Sequence, residues 1–243
     1  MNNDVAARLI DLNRLFYQTF ALQFSATRGR IQPGVRRALG YLPLDADVLD
    51  LGCGNGELAR ELHRRGHTGS YTGLDFSEGL LSVASQGLPL NYTFLHADLS
   101  SPGWDEALVQ RQFTFVLAFA VLHHLPRQEL RRRLLAEARP HLPAGGRLIH
   151  SEWQFLNSPR LRERLQPWEA AGLSASQVDE GDYLLDWRAG GSGLRYAHHF
   201  SEAELGSLAE DSGFRVLETY YSDGAGSRLG LYQVWENPYS TNI

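Results

Sequence analysis

From Asp47 onward the sequence alternates between short apolar runs typical of strands and amphipathic runs typical of helices. This alternation is the feature that most restricts the fold. The predicted strands are residues 47–51, 70–75, 91–96, 113–120 and 146–153. The helical patterns between them are residues 57–65, 77–86 and 127–139. Strands separated in this way by helices form a mainly parallel sheet that helices cover on both faces. The sequence therefore predicts an α/β fold.

Two regions flank or interrupt this α/β pattern. Residues 5–24 carry apolar side chains at helical spacing, and a short second helix is predicted from Pro33 to Leu39. Few periodic signals occur in residues 173–200. We therefore divide the chain into an N-terminal helical lid, residues 1–40, and a main domain, residues 41–243, with an insert at about 173–200. The lid and the insert are the segments expected to cover an active site.

The last third of the chain predicts two helices and a hairpin. The helices are expected over 158–171 and 201–212, and Ser201 with Glu204 forms a capping-box pattern at the start of the second. Two β-rich runs, residues 214–222 and 229–236, close the chain. They predict an antiparallel hairpin at one edge of the sheet.

Composition excludes several classes of protein. The 243 residues contain no apolar run near the roughly 20 residues that span a bilayer, and no signal-peptide pattern opens the chain. One cysteine, Cys53, excludes an internal disulfide and a four-cysteine zinc site. The net charge is −5 and all 23 basic residues are arginine, so any RNA contact has to depend on a local patch. We expect a cytoplasmic protein without a metal, a membrane contact or bound DNA.

A glycine-rich loop follows the first predicted strand. The run from Asp50 to Gly56 reads DLGCGNG and precedes a helix, so its glycines allow a sharp turn and a close approach to a ligand. A dinucleotide-binding loop would need a third glycine at the position of Glu57, whose carboxylate would repel a pyrophosphate. The loop therefore favours a ligand without phosphates.

This loop resembles motif I of the class I S-adenosylmethionine (SAM)-dependent methyltransferases, and three further matches follow in the family's order. Asp75 ends the second strand, where the family's acid accepts both ribose hydroxyls. Asp98 and Leu99 follow the third strand, where the family holds the adenine. Residues 113–125 resemble motif IV, whose strand end faces the methyl group. The resemblance implies a Rossmann-like, seven-stranded, mostly parallel sheet with an antiparallel edge hairpin and an N-terminal helical lid.

The same resemblance assigns the cofactor site. SAM is the expected cofactor, and S-adenosylhomocysteine the product. The expected cofactor-binding residues are Tyr17, Asp50, Gly52, Cys53, Gly54, Asn55, Gly56, Asp75, Phe76, Asp98, Leu99, Ala118 and Phe119. Alternative roles remain open for several: the aspartates are also typical of helix caps and turns, and Tyr17 is equally typical of a core aromatic.

Two kinds of base methylation do not match the sequence. Methylation at C5 of a pyrimidine normally needs a cysteine near motif IV, and Cys53 lies in motif I. Amino-methylation of bases commonly uses an Asn/Asp-Pro-Pro-aromatic signature, which the strand end at residues 118–121 lacks. An oxygen acceptor is favoured, with less usual nitrogen or carbon acceptors left open.

Three segments outside the motifs resemble the tRNA wobble-uridine carboxymethyl methyltransferases, which esterify 5-carboxymethyluridine. They are the aromatic helix with its Thr-Arg pair at 16–28, the motif IV ending at 120–124, and the insert at 181–198. In the insert, Asp186 stands where that family usually has proline. The resemblance implies a tRNA acceptor and a small adaptor protein, as in the eukaryotic relatives.

A carboxylate acceptor is ionised at pH 7 and needs orientation and an arginine clamp more than a strong base. The expected catalytic residues are Arg28, His123, His124 and Arg195, with Arg188 as a weaker clamp candidate. Two arginine groups, residues 131–133 and 160–164, are candidates for RNA contact, although such groups are usually solvated faces. The alternatives are O-methylation of a small metabolite and a non-catalytic SAM-binding scaffold subunit.

Overall fold

The computed structural model describes residues 1–26, 30–188 and 191–239, with residues 22–26 described in backbone only. Its central feature is a seven-stranded sheet in the order β3-β2-β1-β4-β5-β10-β9. The five parallel strands are β1 (Val48–Leu51), β2 (Tyr71–Asp75), β3 (Tyr92–His96), β4 (Phe115–Phe119) and β5 (Arg147–Trp153). Two antiparallel strands, β9 (Arg215–Ser222) and β10 (Gly230–Glu236), complete it. The predicted parallel sheet and edge hairpin are both confirmed.

Helices cover both faces of this sheet. The helices are α1 (Asn3–Ala26), α2 (Pro33–Ala38), α3 (Glu57–Arg64), α4 (Glu78–Ala84), α5 (Gln128–Ala138), α6 (Pro159–Arg162) and α7 (Glu202–Asp211). Buried apolar residues of α5 and α7 pack on one face, and those of α2 and α3 pack on the other. Within the described residues, no helix is long and apolar enough to cross a membrane.

A second, three-stranded antiparallel sheet was not predicted. It contains β6 (Leu165–Gln166), β7 (Asp182–Trp187) and β8 (Gly193–His198), in the order β6-β7-β8. The helix predicted over 158–171 is wrong, because only α6 is helical there and residues 168–171 form a separate 3-10 turn. Pro167 cannot donate the backbone hydrogen bond that a continuous helix would require. The insert therefore holds the hairpin of β7 and β8. The third strand of this sheet, β6, lies before the insert begins at residue 173.

Helix α1 packs on the second sheet. Val5 and Leu9 of α1 share an apolar cluster with Tyr196 of β8, and Phe16 and Phe20 pack against Trp187 of β7. These apolar positions follow the helical spacing that predicted α1.

Buried Asn13 closes the outer edge of β8. Its Oδ1 accepts a hydrogen bond from the Tyr196 backbone N–H at 2.8 Å, and its Nδ2 donates to the Tyr196 carbonyl at 3.1 Å. An unpaired strand edge is otherwise a row of unsatisfied backbone groups. The amide therefore joins the N-terminal helix to the second sheet.

We expect Asn13→Ala to lower the free energy of unfolding by about 1–3 kcal/mol, because it leaves buried backbone groups of β8 without partners. Urea unfolding measures this change. The matched control is Gln18→Ala, an exposed amide on the same helix, with an expected effect within about 0.5 kcal/mol. Equal effects of the two substitutions would contradict the role of Asn13.

Candidate active site

A cavity of about 580 Å³ lies at the carboxyl ends of the parallel strands. It lies where the strand order reverses, since β2 and β3 lie on one side of β1 and β4 and β5 lie on the other. Doubly wound sheets bind their ligands at this point. The volume falls within the range usual for small-molecule sites.

The glycine loop between β1 and α3 forms one wall of this cavity. Gly52 and Gly54 have φ values of +74° and +55°, a conformation that favours glycine. A Cβ on Gly52 would lie 2.9 Å from a Val121 side-chain methyl, whereas a Cβ on Gly54 would face open space. Gly54 is therefore the point at which a ligand can approach the backbone most closely.

Cys53 contributes a buried thiol to the same wall. Burial, together with the nearby Asp50 and Asp75 carboxyls, raises the pKa of the Cys53 thiol well above its usual value. The thiol stays protonated at neutral pH, so it is a poor nucleophile. A buried, protonated thiol agrees with the prediction that Cys53 contributes its backbone to the site.

Asp50, at the end of β1, is buried and lines the cavity. Burial raises its pKa to about 7, even though the Tyr71 hydroxyl donates to Oδ2 at 2.5 Å and stabilises the charged form. The neighbouring Asp75 also raises the pKa of Asp50. A cation bound beside this pair of carboxyls would relieve their repulsion.

Asp75 lies at the end of β2 and braces the glycine loop. Its Oδ2 accepts a hydrogen bond from the Gly54 N–H, and its Oδ1 accepts one from the Ser77 N–H, both at 2.9 Å. Burial raises the pKa of Asp75, while these two donors oppose the rise. Each carboxylate oxygen has a second lone pair, so the side chain can still accept ligand hydroxyls.

Asp98 follows β3 and forms an ion pair with helix α1. Arg14 donates to its Oδ2 at 2.6 Å, and the hydroxyls of Ser100 and Ser101 donate to its two oxygens. Burial raises the pKa of Asp98, but these hydrogen bonds outweigh that effect and hold the pKa below its usual value. Asp98 is therefore ionised and tied to α1.

One face of α1 lines the cavity with Ile10, Asn13, Arg14 and Tyr17. Their positions, i, i+3, i+4 and i+7, form a single helical stripe. Arg14 and Asn13 were not identified from the sequence. Polar residues interrupting an otherwise apolar helical stripe are the signal that would have found them.

Arg195 of β8 lines the end of the cavity next to the second sheet and is buried among aromatic rings. Its guanidinium carbon is 4.3 Å from the ring centre of Trp153, 5.5 Å from that of Phe16 and 5.7 Å from that of Trp187. Arginine stacks favourably on aromatic faces and presents a planar set of donors. Because Arg195 also lines the cavity, it gives this end a fixed positive charge.

His123 and His124 both line the cavity but have different surroundings. The Nε2 atom of His124 lies 2.7 Å from the Tyr17 hydroxyl of α1. The Nδ1 atom of His123 lies 2.8 Å from Oε2 of the buried Glu152, whose Oε1 lies 3.0 Å from Nδ1 of His150. His124 therefore connects the cavity to α1, and His123 connects it to a buried polar cluster beneath β5.

Burial determines the charge of that cluster. It raises the pKa of Glu152 well above its usual value and lowers the pKa of His150 to about 3. Burial therefore disfavours the ionised form of Glu152, and His150 remains neutral at neutral pH. Neither Glu152 nor Trp153 was identified as a site residue from the sequence, because a glutamate followed by a tryptophan at the end of a buried strand is not a distinctive motif.

The remaining predicted residues lie outside the cavity wall or outside the described residues. Gly56 caps α3 at φ +78°, and a Cβ there would lie 2.9 Å from Ala84. Asn55 and Ala118 do not line the cavity, and Ala118 is buried in the core. Arg28 lies outside the described residues. Arg188 is largely exposed and donates to Asp186 at 2.7 Å.

The other residues predicted from the sequence do line the cavity. They are Tyr17, Asp50, Gly52, Cys53, Gly54, Asp75, Phe76, Asp98, Leu99, Phe119, His123, His124 and Arg195.

Comparison with known proteins identifies the family. A family model described as a methyltransferase domain matches residues 24–219. The chain belongs to this methyltransferase family. An Encephalitozoon cuniculi protein named as a methyltransferase is 33% identical over 208 residues, 84% of this chain and 87% of that protein. The Schizosaccharomyces pombe tRNA (carboxymethyluridine(34)-5-O)-methyltransferase is 27% identical over 84% of this chain and 89% of its own.

Solved structures share the fold of this methyltransferase. A SAM-dependent methyltransferase from Methanosarcina mazei has a TM-score of 0.63 and 24% identity, covering 86% of this chain and 98% of that one. A Haloferax volcanii methyltransferase, in complex with the Trm112 methyltransferase activator, has a TM-score of 0.66 and 16% identity, covering 97% of this chain and all of that one. SAM is the cofactor of this methyltransferase. The open space above Gly54 and the aspartates at the strand ends suit its amine, sulfonium and ribose groups.

We expect Asp75→Ala to weaken SAM binding by about 1–3 kcal/mol, through loss of hydrogen bonds to the ribose hydroxyls. Titration calorimetry measures the affinity. Asp47→Ala is the matched control, since the Asp47 carboxylate also accepts hydrogen bonds, from the backbone N–H and the hydroxyl of Ser70, but lies at the start of the strands. Unchanged affinity in Asp75→Ala would remove the ribose role.

Asp50 gives a pH-dependent prediction. Its pKa is about 7 in the folded chain and near 3.8 when unperturbed, so the folded state binds its proton more tightly. Asp50 therefore lowers the free energy of unfolding progressively as the pH rises from 4 to 7. The decrease is at most about 1.4 kcal/mol for each unit by which the folded pKa exceeds the unperturbed pKa. In Asp50→Asn, which cannot ionise and can still accept from Tyr71, the free energy of unfolding relative to the unsubstituted chain should rise from pH 4 to pH 8. Urea unfolding without SAM at both pH values measures it, and a constant difference would contradict the burial effect.

Proposed function

We propose that this methyltransferase transfers the methyl group of SAM to a carboxylate oxygen, and that the acceptor is 5-carboxymethyluridine at the wobble position of a tRNA. The observation that carries the proposal is Arg195, a buried guanidinium that lines the cavity next to the second sheet. A cation enclosed by aromatic rings attracts an anion strongly, because little water is present to screen it. The name of the S. pombe relative supports the identity of the acceptor.

The chemistry of this transfer asks little of the protein beyond orientation. SAM supplies an activated methyl group on a positively charged sulfur. A lone pair of the acceptor carboxylate forms the new O–C bond while the S–C bond breaks, and no proton is released. The arginine clamp that we propose, Arg195 with Arg28, would orient the carboxylate, and His123 and His124 would line the transfer path.

The N-terminal segment acts, in this proposal, as the lid of residues 1–40, and the second sheet as the substrate-side insert. Tyr17 touches His124 at one point of α1, and Arg14 touches Asp98 at another. One helix therefore reaches both the proposed cofactor end and the proposed acceptor end. We further propose a small adaptor protein as partner, which the complex of the H. volcanii structural neighbour with its activator supports.

The deciding experiment offers methyl-labelled SAM together with total tRNA from a strain that lacks the wobble esterification, or with a small-metabolite extract. It is run with and without a co-expressed activator of the Trm112 type. We expect label in tRNA that alkali releases, as an ester requires. Label confined to the metabolite fraction would move the acceptor to a small molecule. SAM binding without any transfer would favour the scaffold alternative.

In the same assay we expect Arg195→Met to lower turnover about 10- to 100-fold while the affinity for SAM stays unchanged, because the variant cannot donate a charged hydrogen bond to the acceptor. Methionine retains much of the volume beside the aromatic rings. The matched control is Arg188→Met, an exposed arginine next to the end of β7, with an expected effect below twofold. Normal turnover in Arg195→Met would contradict the proposal that Arg195 orients the acceptor carboxylate.

A further inference from the structure

Many arginines of this chain are already engaged by carboxylates. Since the sequence has no lysine, arginine provides every fixed positive side-chain charge. The arginines that form ion pairs are Arg14, Arg37, Arg60, Arg64, Arg65, Arg127, Arg131, Arg132, Arg133, Arg188 and Arg215. The run 131–133, a candidate for RNA contact in the sequence, is thereby bound to the protein itself.

Five exposed arginines are different. In the described part of the chain, they form no side-chain hydrogen bond or ion pair: Arg30, Arg36, Arg160, Arg162 and Arg228. Each is the immediate sequence neighbour of a residue that lines the cavity, namely Ile31, Val35, Leu161 or Leu229. We call these five residues the arginine rim. Their side chains are exposed to solvent on segments that contribute to the cavity wall.

The segments that carry the arginine rim are joined by hydrogen bonds. Asn157, beside α6, donates through Nδ2 to the Arg228 carbonyl at 2.9 Å. The loop that contains Arg228 begins at Asp223, whose Oδ1 accepts from the N–H of Gly34 in α2 at 2.9 Å. Helix α2, the β9–β10 loop and α6 are therefore joined into one continuous side of the surface beside the cavity.

The charge of this side is positive. Among the acidic groups of these segments, Asp223 is buried and hydrogen-bonded to Tyr232 and Gly34, which leaves Glu163 as the exposed carboxylate beside the rim of α6. Five guanidinium groups around a deep cavity suit a ligand with a compact head and several negative charges close outside it. A nucleotide whose base enters a pocket while its flanking phosphates remain at the mouth has this form.

We propose that the arginine rim binds the RNA phosphates on either side of the nucleotide whose base enters the cavity. This inference depends on the proposed tRNA acceptor and adds the surface that recognises it. Arginine matches phosphate geometry with paired donors, and each neutralised phosphate releases counterions from the RNA. The net charge of −5 is no obstacle, because the phosphates would meet a local cluster.

The test compares tRNA binding by two triple variants of the full chain. R160Q/R162Q/R228Q removes three charges of the rim. R64Q/R132Q/R215Q removes three charges that are paired with Glu61, Asp211 and Glu236. Fluorescence anisotropy with labelled tRNA gives the Kd at several salt concentrations, and calorimetry with SAM checks that each variant retains its fold and cofactor site.

We expect the rim variant to bind tRNA at least tenfold more weakly, with the slope of log affinity against log salt reduced by about 0.7 for each phosphate that is no longer neutralised. Its KM for tRNA should rise while kcat and the SAM Kd hold within about twofold. The control variant should bind tRNA like the unsubstituted chain. Equal tRNA binding and salt dependence in both variants would overturn the proposal that the arginine rim binds RNA phosphates, even where tRNA is still methylated. Absence of tRNA methylation by the unsubstituted chain would instead overturn the proposed function.

Discussion

The parallel pairing of β1 with both β2 and β4 is the constraint on which the rest of this structure depends. Because the chain continues to β2 and β3 on one side and reaches β4 and β5 on the other, the loops that leave β1 and β4 diverge. The register aligns Leu51 with Leu74 and Asp75 with His96, so the strand ends meet at one edge. Backbone pairing alone therefore brings together carboxylates that are far apart in sequence.

Helix α1 turns this open edge into an enclosed cavity. It packs on the second sheet through apolar clusters and through the Asn13 amide, and it contacts the strand ends of the main sheet through the ion pair of Arg14 with Asp98 and the edge-to-face rings of Tyr17 and Phe76. Its ion pair with Asp98 and its contact with His124 make the proposed cofactor and acceptor ends sensitive to the same element.

Sequence patterns predicted the main sheet, and many of the residues expected at the cofactor site line one cavity, because both features depend on local signals. A glycine loop or an acid at the end of a strand is visible within a few residues, and parallel pairing then fixes its place. The second sheet escaped prediction because its strands lie among polar residues and turns, in a stretch with few periodic signals. The cluster of Glu152 with His150 and His123 depends on register between distant segments, and the pairing of Arg14 with Asp98 spans 84 residues. No local motif marks such contacts.

The distribution of charge in the cavity supports an anionic acceptor beyond the presence of Arg195 itself. An ionised carboxylate buried nearby would ordinarily weaken the field of the guanidinium. Burial, however, raises the pKa of Glu152 well above its usual value, and His150 stays uncharged because burial lowers its pKa to about 3. The ionised form of Glu152 is therefore disfavoured, and His150 adds no positive charge beside it. The ionised Asp98 is already paired with Arg14. In the proposed function, an acceptor with its own negative charge would be attracted by the guanidinium of Arg195, whereas a neutral hydroxyl would gain little from that charge and would also require a base.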